Sequence, residues 1–257
     1  MEIVALTAAG AVAGMINAVA GGGTLITFPV LLFFGTLPLT ANATSTLALV
    51  FGTAGSVYGF RRQIAAVKPW LRRFLPVSLL GGLVGGILLT RTREAVFAKL
   101  VPFLILFATI VFLAQGAFRR FAGFADKSET TTTPRQRAIW AAVLFQFLVS
   151  VYGGYFGAGI GILMLASLGY LGLTNIHEMN ALKTVLSSLI NQVAAAYFIF
   201  AGLIDWPKTL MMTVGAVAGY FLGAHFSQGI PQRRVRQIIT AVGLIISAVM
   251  FYKQLRS

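Results

Sequence analysis

Residues 20–25 are Ala-Gly-Gly-Gly-Thr-Leu, and residues 158–163 are Ala-Gly-Ile-Gly-Ile-Leu, so alanine, two glycines and leucine recur at the same spacing. The two stretches lie 138 positions apart, which is also the separation between Asn42 and Asn180. The further matches at this separation are Ala43 with Ala181, Thr46 with Thr184, Thr36 with Thr174, Pro69 with Pro207, Gly81 with Gly219, and Gly85 with Gly223. One constant separation that carries Asn, Thr and Pro as well as Gly indicates an internal duplication.

The composition is that of a membrane protein. The 257 residues are 58% hydrophobic and 10% charged, with a mean hydropathy of +0.86, whereas soluble domains carry about 25% charged residues. A helix that spans the bilayer needs about 20 mostly apolar residues. We therefore expect an all-α, polytopic membrane protein. Its ten apolar segments are 2–19, 23–36, 41–60, 73–90, 96–115, 138–154, 158–172, 178–203, 208–226 and 235–252.

The second and seventh segments are short, and each follows one of the glycine clusters. We interpret the first pair of segments in each half as a hairpin or helix broken at glycine, because non-helical backbone at membrane depth requires protein or water around it. Five segments in each half give the halves opposite orientations, which predicts two inverted-topology repeats. The predicted division is a first repeat over 1–116, a polar cytoplasmic linker over 117–137 and a second repeat over 138–257.

The formal net charge of +14 lies in short clusters between apolar segments, which disfavours nucleic-acid binding. If the segments alternate in direction, three clusters fall on one side, and the positive-inside rule makes that side cytoplasmic. These clusters are Arg61, Arg62, Lys68, Arg72 and Arg73, then Arg119, Arg120, Lys127, Arg135 and Arg137, then Arg233, Arg234 and Arg236. The prediction is a multi-pass protein of the cell (inner) membrane with both termini outside the cytoplasm.

The glycine clusters are candidate anion sites. A helix that begins just after a glycine turn directs free N–H groups and its positive dipole end at the turn, and both favour an anion. We therefore take Gly22, Gly23 and Thr24 in the first half, and Gly159 and Gly161 in the second half, as candidate binding residues. Close packing of helices through small residues is the alternative role of these glycines.

The Asn-Ala-x-x-Thr stretches supply polar side chains at equivalent positions. Asn42 and Thr46 share a helix face, as do Asn180 and Thr184, and all four can donate hydrogen bonds to an oxyanion. Their alternative role is interhelical hydrogen bonding or capping.

Lys183 is the cation that falls well inside an apolar segment. A charge at that depth is expensive and marks a candidate functional site, with pairing to Glu178 or snorkelling to the interface as the alternative. Its equivalent in the first half is Ser45, which joins the candidate list.

Several function classes are disfavoured by absent residues. The chain has no cysteine, no Gly-x-x-x-x-Gly-Lys-Ser/Thr nucleotide motif and no carboxylate pair suited to hydrolysis. Its two histidines are far apart in sequence, which makes a poor metal site. We expect no catalytic residues, no metal and no cofactor, and hence not an enzyme.

The motifs resemble those of a known family. The first half contains Ala-Gly-Gly-Gly-Thr-Leu-Ile-Thr-Phe-Pro over 20–29 and Leu-Thr-Ala-Asn-Ala-Thr-Ser-Thr over 39–46. Together with Tyr-Phe-Gly-Ala-Gly-Ile-Gly over 155–161 and Asn-Ala-Leu-Lys over 180–183, these stretches resemble the sulfite exporter TauE/SafE family, also called the toluene-sulfonate uptake permease family. The resemblance implies transport, as export, of a sulfur-containing oxyanion such as sulfite, sulfoacetate or another organosulfonate.

The sequence thus predicts a secondary active transporter that moves a small anion by alternating access. A passive anion channel and a non-transporting membrane assembly or signalling subunit remain as alternatives. The expected partners are the anion and the lipid bilayer, with a coupling ion (proton or sodium) and a homodimer left open.

Overall fold

The computed structural model describes residues 1–19, 22–59, 61–124, 136–170, 176–226 and 232–256. This part of the chain forms ten helices and no strand, which confirms the all-helical prediction, and each predicted apolar segment falls on one helix. The helices are α1 (Glu2–Val19), α2 (Thr24–Phe33), α3 (Pro38–Gly59), α4 (Arg61–Arg91), α5 (Glu94–Phe124), α6 (Gln136–Tyr155), α7 (Ile160–Tyr170), α8 (Ile176–Phe200), α9 (Trp206–Phe226) and α10 (Gln232–Arg256).

The helices differ in their ability to cross a bilayer. Among the described residues, three helical stretches are long and apolar enough to span it, namely Ala66–Arg91, Glu94–Ala114 and Glu178–Phe200. By contrast, α2 has 10 residues and α7 has 11, and a rise of about 1.5 Å per residue makes each roughly half the hydrocarbon thickness. The two short helices therefore begin inside the protein, at the glycine turns that precede them.

Two helices, α4 and α5, extend far beyond their apolar segments. α4 begins at Arg61 rather than near residue 73. Its first turns are amphipathic: Val67 and Phe74 are buried, whereas Arg72 and Arg73 are exposed, so a hydropathy pattern alone misses them. α5 continues to Phe124, into the predicted linker, whose central residues 125–135 lie outside the described residues.

One end of the protein is tied together by polar contacts around Lys208, and we call it the Lys208 end. The Lys208 ammonium donates to the Phe34 carbonyl (3.1 Å) and the Thr36 hydroxyl (2.8 Å), and it pairs with Glu2 at 3.5 Å. These bonds bring together the start of α1, the α2–α3 connection and the start of α9. Since α8 ends just before α9 begins, α8 must start at the opposite end, which we call the α8-start end.

Helices of one predicted half pack mainly against helices of the other. α1, the first helix, packs along α9, the fourth helix of the other half, and α6 packs along α4 in the same way. α3 and α8, the third helices of the two predicted halves, also pack against each other. Glycine makes the α1–α9 contact close, because a Cβ at Gly215 would lie 1.9 Å from the Thr7 carbonyl oxygen.

Candidate functional site

The first glycine turn joins α1 to α2 and lies against an aromatic ring of α5. Gly22 has a φ of 96°, a conformation that side-chain-bearing residues rarely adopt. A Cβ at Gly22 would lie 2.1 Å from Cζ of Phe112, so the ring occupies the space that any side chain would need. Phe112 itself is fully buried.

The second glycine turn, between α6 and α7, meets the same ring. Gly157 and Gly159 have φ values of 83° and 80°, and a Cβ at Gly159 would lie 3.6 Å from Cε2 of Phe112. The Tyr152 hydroxyl donates to the Ala158 carbonyl (2.8 Å) inside this turn. Phe112 therefore lies between the two turns. Nothing in the sequence distinguishes this phenylalanine from the others in apolar segments, so the sequence analysis missed it.

The Gly23 amide is already hydrogen bonded. Its N–H donates to Oδ1 of Asn17 at 2.7 Å, and its carbonyl accepts from Ile26 and Thr27. In this conformation the Gly23 N–H is thus not free to bind an anion, and Asn17 competes for it. Thr24, the first residue of α2, is partly buried beside it.

Asn42 joins α3 to the end of α6. Its Nδ2 donates to the Tyr155 carbonyl at 3.0 Å, while Oδ1 is buried and has no hydrogen-bond partner among the described residues. The Thr46 hydroxyl donates back to the Asn42 carbonyl at 2.9 Å. The structure therefore brings Asn42, from the first predicted half, close to the second glycine turn, from the second predicted half.

Ser45 makes a buried contact with α2. Its hydroxyl lies 2.5 Å from the Thr27 hydroxyl, and both side chains are fully buried. Thr27 also donates to the Gly23 carbonyl at 3.3 Å. Ser45 thus supports the first turn of α2 through Thr27, which the sequence had not singled out.

We predict that Thr27→Val and Ser45→Ala will be coupled in stability. Thr27→Val removes the Thr27 partner of the buried Ser45 hydroxyl, and Ser45→Ala leaves the Thr27 hydroxyl with the Gly23 carbonyl alone. The double change removes both hydroxyls, so we expect a coupling free energy of about 1 kcal/mol. The measurement is a double-mutant cycle of thermal unfolding in detergent. Strictly additive effects would contradict the contact.

Lys183 occupies the equivalent position in the second half. Its aliphatic stem crosses Gly161 in the first turn of α7, because a Cβ at Gly161 would lie 3.1 Å from Cδ of Lys183. Position 45 faces α2 and position 183 faces α7, so the equivalence predicted from sequence holds for this contact. Any side chain at Gly161 would push on the lysine.

Asn180 and Thr184 lie on the same face of α8 as Lys183, and all three are partly accessible. Their first-half equivalents, Asn42, Ser45 and Thr46, are buried. The predicted polar residues of α3 are therefore buried, and those of α8 are partly accessible. The other candidates do not divide in this way, because Gly23 and Gly159 are buried, whereas Gly22, Thr24 and Gly161 are partly accessible. Among the described residues, no group of three or more His, Cys, Asp or Glu could hold a metal ion.

Comparison with known proteins identifies the family of this chain. The sulfite exporter TauE/SafE family matches residues 6–250. The chain belongs to the TauE/SafE family. The sequence resemblance is thereby confirmed over nearly the whole chain.

Curated relatives carry transporter names. A probable membrane transporter protein of Haemophilus influenzae is 32% identical over 252 residues, covering 95% of this chain and 92% of the relative. The probable membrane transporter protein YfcA of Escherichia coli is 25% identical, covering 93% of this chain and 86% of the relative. The probable membrane transporter protein YunE of Bacillus subtilis is 24% identical and covers 98% of each chain. No solved structure matches the chain.

Proposed function

We propose that this TauE/SafE protein is a secondary active transporter that exports a small sulfur-containing anion, such as sulfite, sulfoacetate or a related organosulfonate, across the cytoplasmic membrane. The observation that carries the proposal is the meeting of two glycine turns on Phe112, with Lys183 against the helix that begins at the second turn. A cation beside a helix start is a favourable environment for an oxyanion.

The packing of the halves supports an inverted-repeat architecture, in which transport proceeds by alternating access. The first helix of each half packs on the fourth helix of the other, and the third helices pack against each other. A two-fold relation between the halves would produce this reciprocal pattern. Movement of one half against the other would then expose the site between them alternately to the two sides.

Each candidate residue receives a role in the proposed site. Lys183 supplies the positive charge, and Asn180 and Thr184 donate hydrogen bonds to the anion from the same face of α8. In the first half, Asn42, Ser45 and Thr46 are buried in the present conformation. We propose that they reach the anion after the halves move, with Gly22, Gly23, Thr24, Gly159 and Gly161 supplying close backbone approach.

Flux measurements test the proposal. Purified protein in proteoliposomes is expected to move labelled sulfite or a two-carbon sulfonate, with saturation and with accumulation driven by a proton or sodium gradient. Flux that never exceeds equilibration would instead support a passive anion channel. Absence of flux for every sulfur oxyanion, compared with protein-free liposomes, would overturn the proposal and favour a non-transporting subunit.

The orientation is proposed from charge, with the basic loops in the cytoplasm and both termini outside. We predict that a single cysteine at Ser128, within the predicted linker, will react with an impermeant thiol reagent in inverted vesicles but not in intact cells. The chain has no cysteine of its own, so labelling reports this position alone. Labelling in intact cells would contradict the orientation.

A further inference from the structure

Helix α8 carries a continuous polar face. Asn180, Thr184, Ser187 and Asn191 recur every three or four residues, which places them on one side of a helix. All four are partly accessible. Residues between them in sequence, on another face of the helix, are fully buried, namely Leu182, Leu186 and Ile190.

This accessible face is not a lipid-facing surface. α8 packs against α3, α4, α6 and α7. Its first turns lie inside the bundle, because Met179 and Leu182 are buried and the stem of Lys183 lies against Gly161 of α7. The strongly exposed apolar residues of α8, Ile199 and Phe200, are found only at its other end. Amide and hydroxyl groups in contact with hydrocarbon would lose hydrogen bonds to water, so an accessible polar face inside a membrane protein lines water.

The equivalent face of α3 is closed. Asn42, Thr46 and Leu49 correspond to Asn180, Thr184 and Ser187, and all three are buried. Two halves of similar sequence would have equal accessibility in a symmetric arrangement. The difference in accessibility between α3 and α8 therefore indicates a conformation that is open on one side of the protein and closed on the other.

The closed side is the Lys208 end. Besides the bonds of Lys208, the Asp205 amide donates to the Thr44 hydroxyl at 3.1 Å, which holds the start of α9 on α3. The Leu39 amide donates to the Glu94 carboxylate at 3.0 Å, which holds the start of α3 on α5. Closure at this end and accessibility along the first turns of α8 place the opening at the α8-start end.

A first-half residue beyond the buried stretch agrees with this direction. Thr53, toward the end of α3, is partly accessible, and its hydroxyl accepts a hydrogen bond from Ser188 of α8 at 3.4 Å. α3 ends at the α8-start end, because it begins beside Glu94 at the Lys208 end. Accessibility on α3 thus appears where the helix approaches the open side.

We infer that the polar face of α8 lines an aqueous vestibule, closed by the described residues at the Lys208 end and entered from the α8-start end, along which the anion reaches Lys183. The inference rests on the proposed function. It adds Asn191, whose amide can donate to an oxyanion, to the residues that contact the substrate on its way. It also adds Ser187, whose hydroxyl donates to the Thr184 carbonyl at 3.2 Å in this conformation and must turn away from it to donate to the anion.

Equivalent cysteine pairs test the vestibule. Single cysteines at Thr184 and Ser187 are compared with single cysteines at their equivalents, Thr46 and Leu49, in a chain that has no other cysteine. An impermeant, charged thiol reagent added at the α8-start end is expected to label the α8 positions at least about tenfold faster, because the α3 positions react only when the fold opens locally. Reagent added at the Lys208 end is expected to label neither position of a pair rapidly.

Two results would overturn the vestibule: equal labelling rates within both pairs, or faster labelling from the Lys208 end. Thermal unfolding of each variant identifies any cysteine that disrupts folding, and the second pair then decides the outcome. One-sided labelling without any anion flux would contradict the proposed function while leaving the vestibule intact. Flux together with equal labelling would contradict the vestibule alone.

Discussion

Lys183→Ala is expected to weaken binding of the transported anion more than any other single change in the site. A hydrogen bond to a charged group contributes about 1.5–3 kcal/mol, which corresponds to a 10- to 150-fold loss of affinity. The stem of Lys183 lies against Gly161, so truncation removes the charge beside the start of α7. No hydrogen bond between Lys183 and another described residue is lost by the change. The concentration dependence of initial flux in proteoliposomes measures the effect.

Two variants control for the loss of charge. Lys183→Arg keeps the charge and is expected to retain part of the affinity, although the wider guanidinium must also pass Gly161. Lys99→Ala removes an exposed positive charge from α5 and is expected to leave the affinity unchanged. An unchanged affinity in Lys183→Ala would show that the lysine does not hold the anion.

Gly22→Ala is expected to destabilise the protein severely. The new Cβ would lie 2.1 Å from Cζ of Phe112, on a ring that also touches the second glycine turn. Overpacking of this kind costs about 1–3 kcal/mol, and the left-handed backbone conformation of a residue with a side chain adds about 1–2 kcal/mol. The expected result is a large fall in unfolding temperature and loss of flux.

Gly35→Ala separates these two costs. Gly35 also has a positive φ, 74°, but a Cβ there would meet nothing within 4 Å. It is expected to suffer the conformational cost alone, and Gly22→Ala combined with Phe112→Ala is expected to regain part of the lost stability. Equal destabilisation by the two glycine variants would contradict the packing of Phe112 on the first turn.

Hydropathy predicted much of the fold. The apolar segments located the ten helices that the described residues form, because each of these helices contains a run of apolar side chains. The shortness of α2 and α7 followed from the glycine clusters that precede them. The start of α4 was missed, because its first turns alternate buried and exposed residues and so have low average hydropathy.

The site was predicted less completely, because contacts between distant residues have no local sequence signal. Phe112 is one of 21 phenylalanines, and only the fold places it between the two turns. The Asn17 side chain accepts from the Gly23 N–H, a contact that the spacing of the glycines cannot reveal. The different accessibility of Asn42 and Asn180 is likewise invisible in a repeat that treats them as equals.

Counterflow tests the central claim, that the halves carry an anion by alternating exposure, most directly. Proteoliposomes are loaded with excess unlabelled sulfite or sulfoacetate, and entry of the same labelled anion is followed over time. A carrier is predicted to accumulate label transiently above equilibrium, and only when the internal anion is present. The reason is that the site carries an unlabelled anion outward and returns with a labelled anion, while the excess unlabelled anion inside competes with exit of the label. Entry that rises only to equilibrium, whatever the internal anion, would contradict the account.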